Sequence, residues 1–166
     1  MDRIEELKEN LENYYKEIKA KIEELKKKEP KKRWRSKRHV TYYLIYGNLN
    51  VEDTVEVFNN VDNDRYKYRN YFQEREQAEK VAERIKIYME LKDLAEELNG
   101  GEKIGWNDIE QDRYIISFDN NDKILRQFLI SYTIAIGQIY CLDENFLKKA
   151  KERIGEDRLK KLFDEE

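Results

Sequence analysis

The sequence predicts an α+β fold: an N-terminal coiled-coil helix followed by a duplicated strand-strand-strand-helix domain. Three observations carry that prediction. Apolar residues step by three and four through residues 2–29 and stop at Pro30. Beyond Val40 the pattern becomes β-branched and aromatic with period two, closed by Asn, Asp and Gly clusters. A 3.6-residue period then returns, and the whole succession occurs twice.

In residues 1–29, Ile4, Leu11, Ile18 and Leu25 fall seven apart and take the a positions of a heptad. Leu7 and Tyr14 take d, Lys21 occupies the third d, and Ile22 sits beside it. Apart from Met1, Tyr15 and Ala20, every other position is polar or charged. So narrow a stripe suits a helix–helix seam better than a globular core. At about three and a half heptads the helix is marginal alone, so it is expected to pair with a copy of itself. The oligomerisation residues are therefore Ile4, Leu7, Leu11, Tyr14, Ile18, Ile22 and Leu25; the alternative is a helix lying on the domain. Pro30 ends it, because proline blocks continuation and pushes the residue before it out of the α region.

The first repeat, residues 41–101, opens with Thr41-Tyr42-Tyr43-Leu44-Ile45-Tyr46 and a Gly47-Asn48 turn. A returning strand is predicted over residues 51–58, a loop over 59–64, and a short aromatic strand over 65–72. A long helix follows from about Glu74 and stops at Asn99-Gly100-Gly101. The second repeat, residues 102–166, has a strand at 113–118, a turn at Asp119-Asn120-Asn121-Asp122 and a strand-like stretch over 124–136. Its helix carries Phe146, Leu147, Ala150 and Ile154, breaks at Gly155 and adds a last turn or two. Tyr71-Phe72 aligns with Tyr140-Cys141, and Glu83-Arg84-Ile85 with Glu152-Arg153-Ile154. Each sheet is expected to bury one face under its helix, the two repeats packing as one domain.

Charge is abundant but segregated. Asp, Glu, Lys and Arg make up 42% of the 166 residues, with net charge −3. Residues 26–38 hold nine bases and one acid, a net +8 that leaves −11 for the other 153 residues. The basic linker, residues 30–40, thus presents Lys31, Lys32, Arg33, Trp34, Arg35, Lys37 and Arg38 as a candidate binding segment. Clustered cations attract phosphates, and an aromatic neighbour can stack on a base. The competing reading is a solvated linker balancing acidic surroundings, or one that meets an acidic protein face.

Other chemistries find little support. One Cys excludes an internal disulfide, and one Cys with one His cannot build a protein-only zinc site. Asp62-Asn63-Asp64 resembles the opening of a calcium loop, but Lys67 replaces the sixth-position Gly and Gln73 the twelfth-position acid. Cys141 reads as a small buried side chain, and His39 has no evident partner. No catalytic signature is present, so the expectation is a non-enzymatic protein with no cofactor and no metal. No apolar run is long enough to span a membrane. The first residues lack a signal-peptide core, which predicts a cytosolic chain.

The order of motifs resembles a family of small, mostly uncharacterised proteins encoded by phages and prophages of Gram-positive bacteria. The resemblance rests on Arg33-Trp34-Arg35, Tyr42-Tyr43-Leu44-Ile45, Arg69-Asn70-Tyr71-Phe72-Gln73 and Glu97-Leu98-Asn99-Gly100. It continues through Trp106-Asn107, Tyr114-Ile115-Ile116 and Ile154-Gly155-Glu156-Asp157-Arg158-Leu159-Lys160-Lys161-Leu162-Phe163. Arg69 stands where that family has Gly, and Cys141 where it has Phe. The resemblance implies a viral accessory protein in the cytoplasm of the bacterial host. The expected function is binding and inhibition of a host or defence component, as an anti-CRISPR protein does. The alternatives are a nucleic-acid-binding protein using residues 26–38, a sponge for a nucleotide signal, and a virion adaptor.

Overall fold

The chain falls into two units, Met1–Arg35 and Ser36–Glu166. The structure, a computed structural model, describes residues 3–28, 33–105, 108, 110–131, 135 and 137–163, with backbone alone for 6 and 25–28. In the first unit, α1 (Arg3–Lys28) is a 26-residue helix. All its described side chains are exposed.

The second unit begins with a hairpin. Strands β1 (Thr41–Ile45) and β2 (Val51–Val55) pair antiparallel, with Tyr42 opposite Thr54 and Leu44 opposite Glu52. Strand alternation turns Tyr42 and Leu44 inward, where both are buried. The outer edge of β1 is closed by residues 70–72. The Asn70 side chain both donates to the Ile45 carbonyl and accepts from the Ile45 N–H, each at 2.7 Å. Phe72 and Tyr43 exchange backbone hydrogen bonds, each at 2.9 Å.

Here the sequence prediction needs correction. The segment expected to run from loop to third strand contains a helix, α2 (Asn60–Lys67), and the strand shrinks to the single Tyr43–Phe72 bridge. The cause is local. Asn59 caps α2 by accepting from the Asp62 N–H at 2.8 Å, while the Asp62 carboxylate reaches back to the Asn59 N–H at 3.4 Å. That reciprocal cap overrides the aromatic content of residues 65–72.

Helix α3 (Arg75–Leu98) spans 24 residues. Its first half, with Ala78 and Ala82 buried, runs beside β1 and β2. Its second half contributes Ile87, Leu91, Leu94 and Ala95 to the main core. That core is completed by strands β3 (Arg113–Asp119) and β4 (Ile124–Ile130) and helices α4 (Phe146–Ile154) and α5 (Glu156–Lys160). The antiparallel register sets Ile116 opposite Gln127 and Phe118 opposite Leu125, so these four share the core face. Tyr114 and Cys141 exchange backbone hydrogen bonds at 2.7 and 3.0 Å, the second hairpin's counterpart of the Tyr43–Phe72 bridge.

The observed sheets are therefore two-stranded, not three-stranded. Strand β4 ends at Ile130, short of the 124–136 stretch expected; residues 132–134 and 136 lie outside the described residues. The α3 and α4–α5 boundaries match expectation, including the break at Gly155, whose φ of 93° suits glycine. No described helix is long and apolar enough to cross a membrane.

Candidate functional site

Among the described side chains, every member of the stripe predicted to mediate self-association is exposed. Ile4, Leu7, Leu11, Tyr14, Ile18 and Ile22 are between 39% and 68% exposed, and Tyr15 is 72% exposed. Leu25 is in α1, its side chain outside the described set. Each fully buried Leu or Ile stabilises by about 2 kcal/mol, so the stripe is a large unused driving force.

The basic segment crosses the boundary between the units. Lys31 and Lys32 lie outside the described residues. Arg33 and Arg35 are half-buried, Trp34 is 36% exposed, and Lys37 and Arg38 are exposed. Of the described members, Lys37 and Arg38 belong to the second unit and the other three to the first.

Ser36, which opens the second unit, leads into a constellation that sequence reasoning missed. Its N–H donates to Tyr71 Oη at 3.2 Å, and Tyr71 Oη donates to Glu56 Oε2 at 2.6 Å. Glu56 Oε1 accepts from the Phe58 N–H at 2.7 Å. The Glu56 carboxyl is hydrogen-bonded to Asp62. Tyr42 Oη donates to Asp62 Oδ1 at 2.7 Å and accepts from Arg65 Nη1 at 2.9 Å. Asp62 Oδ2 takes the Val57 N–H at 3.0 Å. The Tyr42 and Tyr71 rings stack 3.8 Å apart, and Tyr66 meets Tyr71 edge-on.

Glu56 and Asp62 are 0% and 2% exposed. Burial alone would raise Asp62. Hydrogen bonds from Tyr42, two backbone N–H groups and Glu56 outweigh it and hold Asp62 below the usual carboxylate range. Burial pushes Tyr42 up to about 12. Tyr71 is also raised, by burial and by its bond to Glu56. Every one of these polar groups serves another protein group, so the arrangement holds the chain together rather than presenting chemistry to a substrate.

One signal for this cluster was in the sequence: Asn59-x-x-Asp62 is a capping-box pattern. Glu56 was concealed. Only the β1–β2 register, carried past Val55, shows it on the same face as Tyr42.

Elsewhere, Arg113 is 2% exposed and donates to the backbone carbonyls of Gly105, Asp108 and Ser131, the last at 3.2 Å. It is a strut tying Gly105 and Asp108 to Ser131, just past the end of β4. A shallow hollow of about 340 Å³ lies between the β1–β2 turn and α3, lined by Leu49, Val51, Glu79, Ala82, Glu83 and Lys86. Glu83 there is engaged by Arg158 Nε at 3.0 Å. Among the described residues no group of three or more His, Cys, Asp or Glu is placed to hold a metal. Comparison with known protein families, curated proteins and solved structures returns no match to this chain.

Proposed function

We propose that this chain is a self-associating, non-enzymatic accessory protein of a bacterial virus that binds and inhibits a host or defence component, as an anti-CRISPR inhibitor does. The observation that carries a binding role is the exposed apolar stripe of α1. A helix of 26 residues with Ile4, Leu7, Leu11, Tyr14, Ile18 and Ile22 in water gains its stability by assembly. Self-association would then raise the avidity of the attached domain for its target. Charge supports the kind of target. Residues 39–166 hold 27 acids and 19 bases, a net −8 suited to a basic groove evolved for nucleic acid. The viral context rests on the motif resemblance, and the site of action it implies is the host cytoplasm.

The domain supports a further proposal, that its two halves descend from one strand-strand-bridge-helix unit. Phe72 and Cys141, aligned in sequence, each bridge the first strand of their own hairpin.

The test is affinity capture with the full chain from infected host lysate, followed by an activity assay on the captured protein. Inhibition of a captured defence protein on adding purified chain is the expected result. A second reading draws on the exposure of Lys37 and Arg38 beside Trp34. If capture yields nucleic acid instead, and neutralising Lys31, Lys32, Arg33 and Arg35 abolishes it, the chain is a nucleic-acid-binding protein. A copurified nucleotide would point to the signal sponge, and incorporation into particles to the virion adaptor.

A further inference from the structure

The stripe on α1 has a symmetry that the heptad description hides. Counting Tyr15, its members are Ile4, Leu7, Leu11, Tyr14, Tyr15, Ile18, Ile22 and Leu25. These pair about the helix centre: 4 with 25, 7 with 22, 11 with 18, and 14 with 15. The same residues recur eleven apart, 4 with 15, 7 with 18, 11 with 22 and 14 with 25. An eleven-residue period of about 3.67 residues per turn keeps the stripe on one side of an almost straight helix, within an arc of about 100°. In the heptad frame Lys21 sits in the seam and Ile22 outside it; in this frame Ile22 is in the seam and Lys21 is not.

Charge follows the same division. Residues 3–14 of α1 carry Arg3 and Lys8 against Glu5, Glu6, Glu9 and Glu12, a net −2. Residues 15–28 carry Lys16, Lys19, Lys21, Lys26, Lys27 and Lys28 against Glu17, Glu23 and Glu24, a net +3. A parallel pair sets each half against its like and brings the two +8 segments, residues 26–38, side by side. An antiparallel pair sets opposite halves together and holds the C-terminal ends of the two helices about 30 Å apart, well beyond the screening length of about 10 Å at 0.1 M salt.

We propose that α1 pairs with α1 of a second copy as an antiparallel, two-fold symmetric helix pair in which residue i faces residue 29 − i. The palindromic spacing makes the surface self-complementary, as an isologous interface requires. The seam stacks Leu7 on Ile22 and Leu11 on Ile18, with the tyrosines at the centre. This deepens the self-association proposed above and rests on it.

Disulfide trapping on the full chain separates the two ideas. Leu7→Cys and Ile22→Cys variants are made singly, with the parent, whose only cysteine is the buried Cys141, as the blank. Sedimentation should give twice the 20.3 kDa chain mass. Under mild oxidation, a mixture of the two variants should form covalent dimer several-fold more than either variant alone. Strong dimer from Leu7→Cys alone would overturn the antiparallel register while leaving self-association standing. A monomer in sedimentation at micromolar concentration would overturn both.

Discussion

At the scale of single residues, the Glu56–Asp62 pair makes the sharpest predictions. Glu56→Gln replaces one of two accepting oxygens by an NH2 group, which strands either the Tyr71 hydroxyl or the Phe58 N–H, and should cost on the order of 2 kcal/mol in urea unfolding at neutral pH. Asp62→Ala instead strands Tyr42 Oη and the Val57 and Asn59 N–H groups. It should cost on the order of 3 kcal/mol by the same measurement. The pH response has a definite sign. Tyr42 and Tyr71 are raised in the fold, so their contribution is complete below the ordinary tyrosine value near 10 and is lost as pH climbs through the raised values, about 12 for Tyr42 and higher for Tyr71. Asp62 is lowered, so its contribution is present above the ordinary carboxylate value near 4 and disappears as pH falls below it. An ultraviolet titration of tyrosinate should show Tyr42 and Tyr71 ionising late, together with unfolding. Ionisation of all the tyrosines near pH 10 in the folded chain would contradict the buried network.

Among the elements, α3 was fully legible and α2 was not, and the difference is physical. Helix α3 has a long apolar period and a Gly-Gly stop, signals that act within one segment. Helix α2 lies in a stretch rich in Asn, Asp and Tyr, whose average preference is for turns and strands; one cap decides it against that average. The two one-residue bridges at Phe72 and Cys141 were anticipated as strands because an aromatic run reads alike whether its edge is paired once or along its length. Glu56 and Arg113 could not be picked out among 69 charged residues, since only pairing and loop packing decide which charge is buried. Ties between elements were equally hidden. Gln127 of β4 accepts from the Leu147 N–H at 2.7 Å and so supplies the cap that α4 lacks at Asn145. Gln127→Ala should therefore cost about 1 kcal/mol, measured as a shift in the unfolding midpoint. Arg158 of α5 grips Glu90 through two hydrogen bonds of 2.9 Å and Glu83 through one of 3.0 Å. It is 37% exposed, so screening limits the loss for Arg158→Ala to about 1 kcal/mol, and that loss should shrink in high salt.

For the whole molecule, the two units make separable predictions. Removing residues 1–29 should abolish self-association in sedimentation and leave the melting temperature of the remaining domain unchanged, because Ser36–Glu166 is a compact unit of its own. A domain that melts markedly lower would show that α1 also supports it. Within the domain, helix α3 is common to both hairpins: its first half runs beside one and its second half fills the core of the other. A helix is cooperative along its length, so opening at one end is felt at the other. Among the described residues, the buried cluster that includes the first hairpin has three aromatic or apolar members, and the cluster that joins the second hairpin to the end of α3 has twelve. Amide exchange should thus be graded along α3, fastest near Ala78 and slowest near Leu91. A ligand that clamps the first hairpin would steepen protection in the distant half as well, giving the domain a route for one end to sense occupancy at the other.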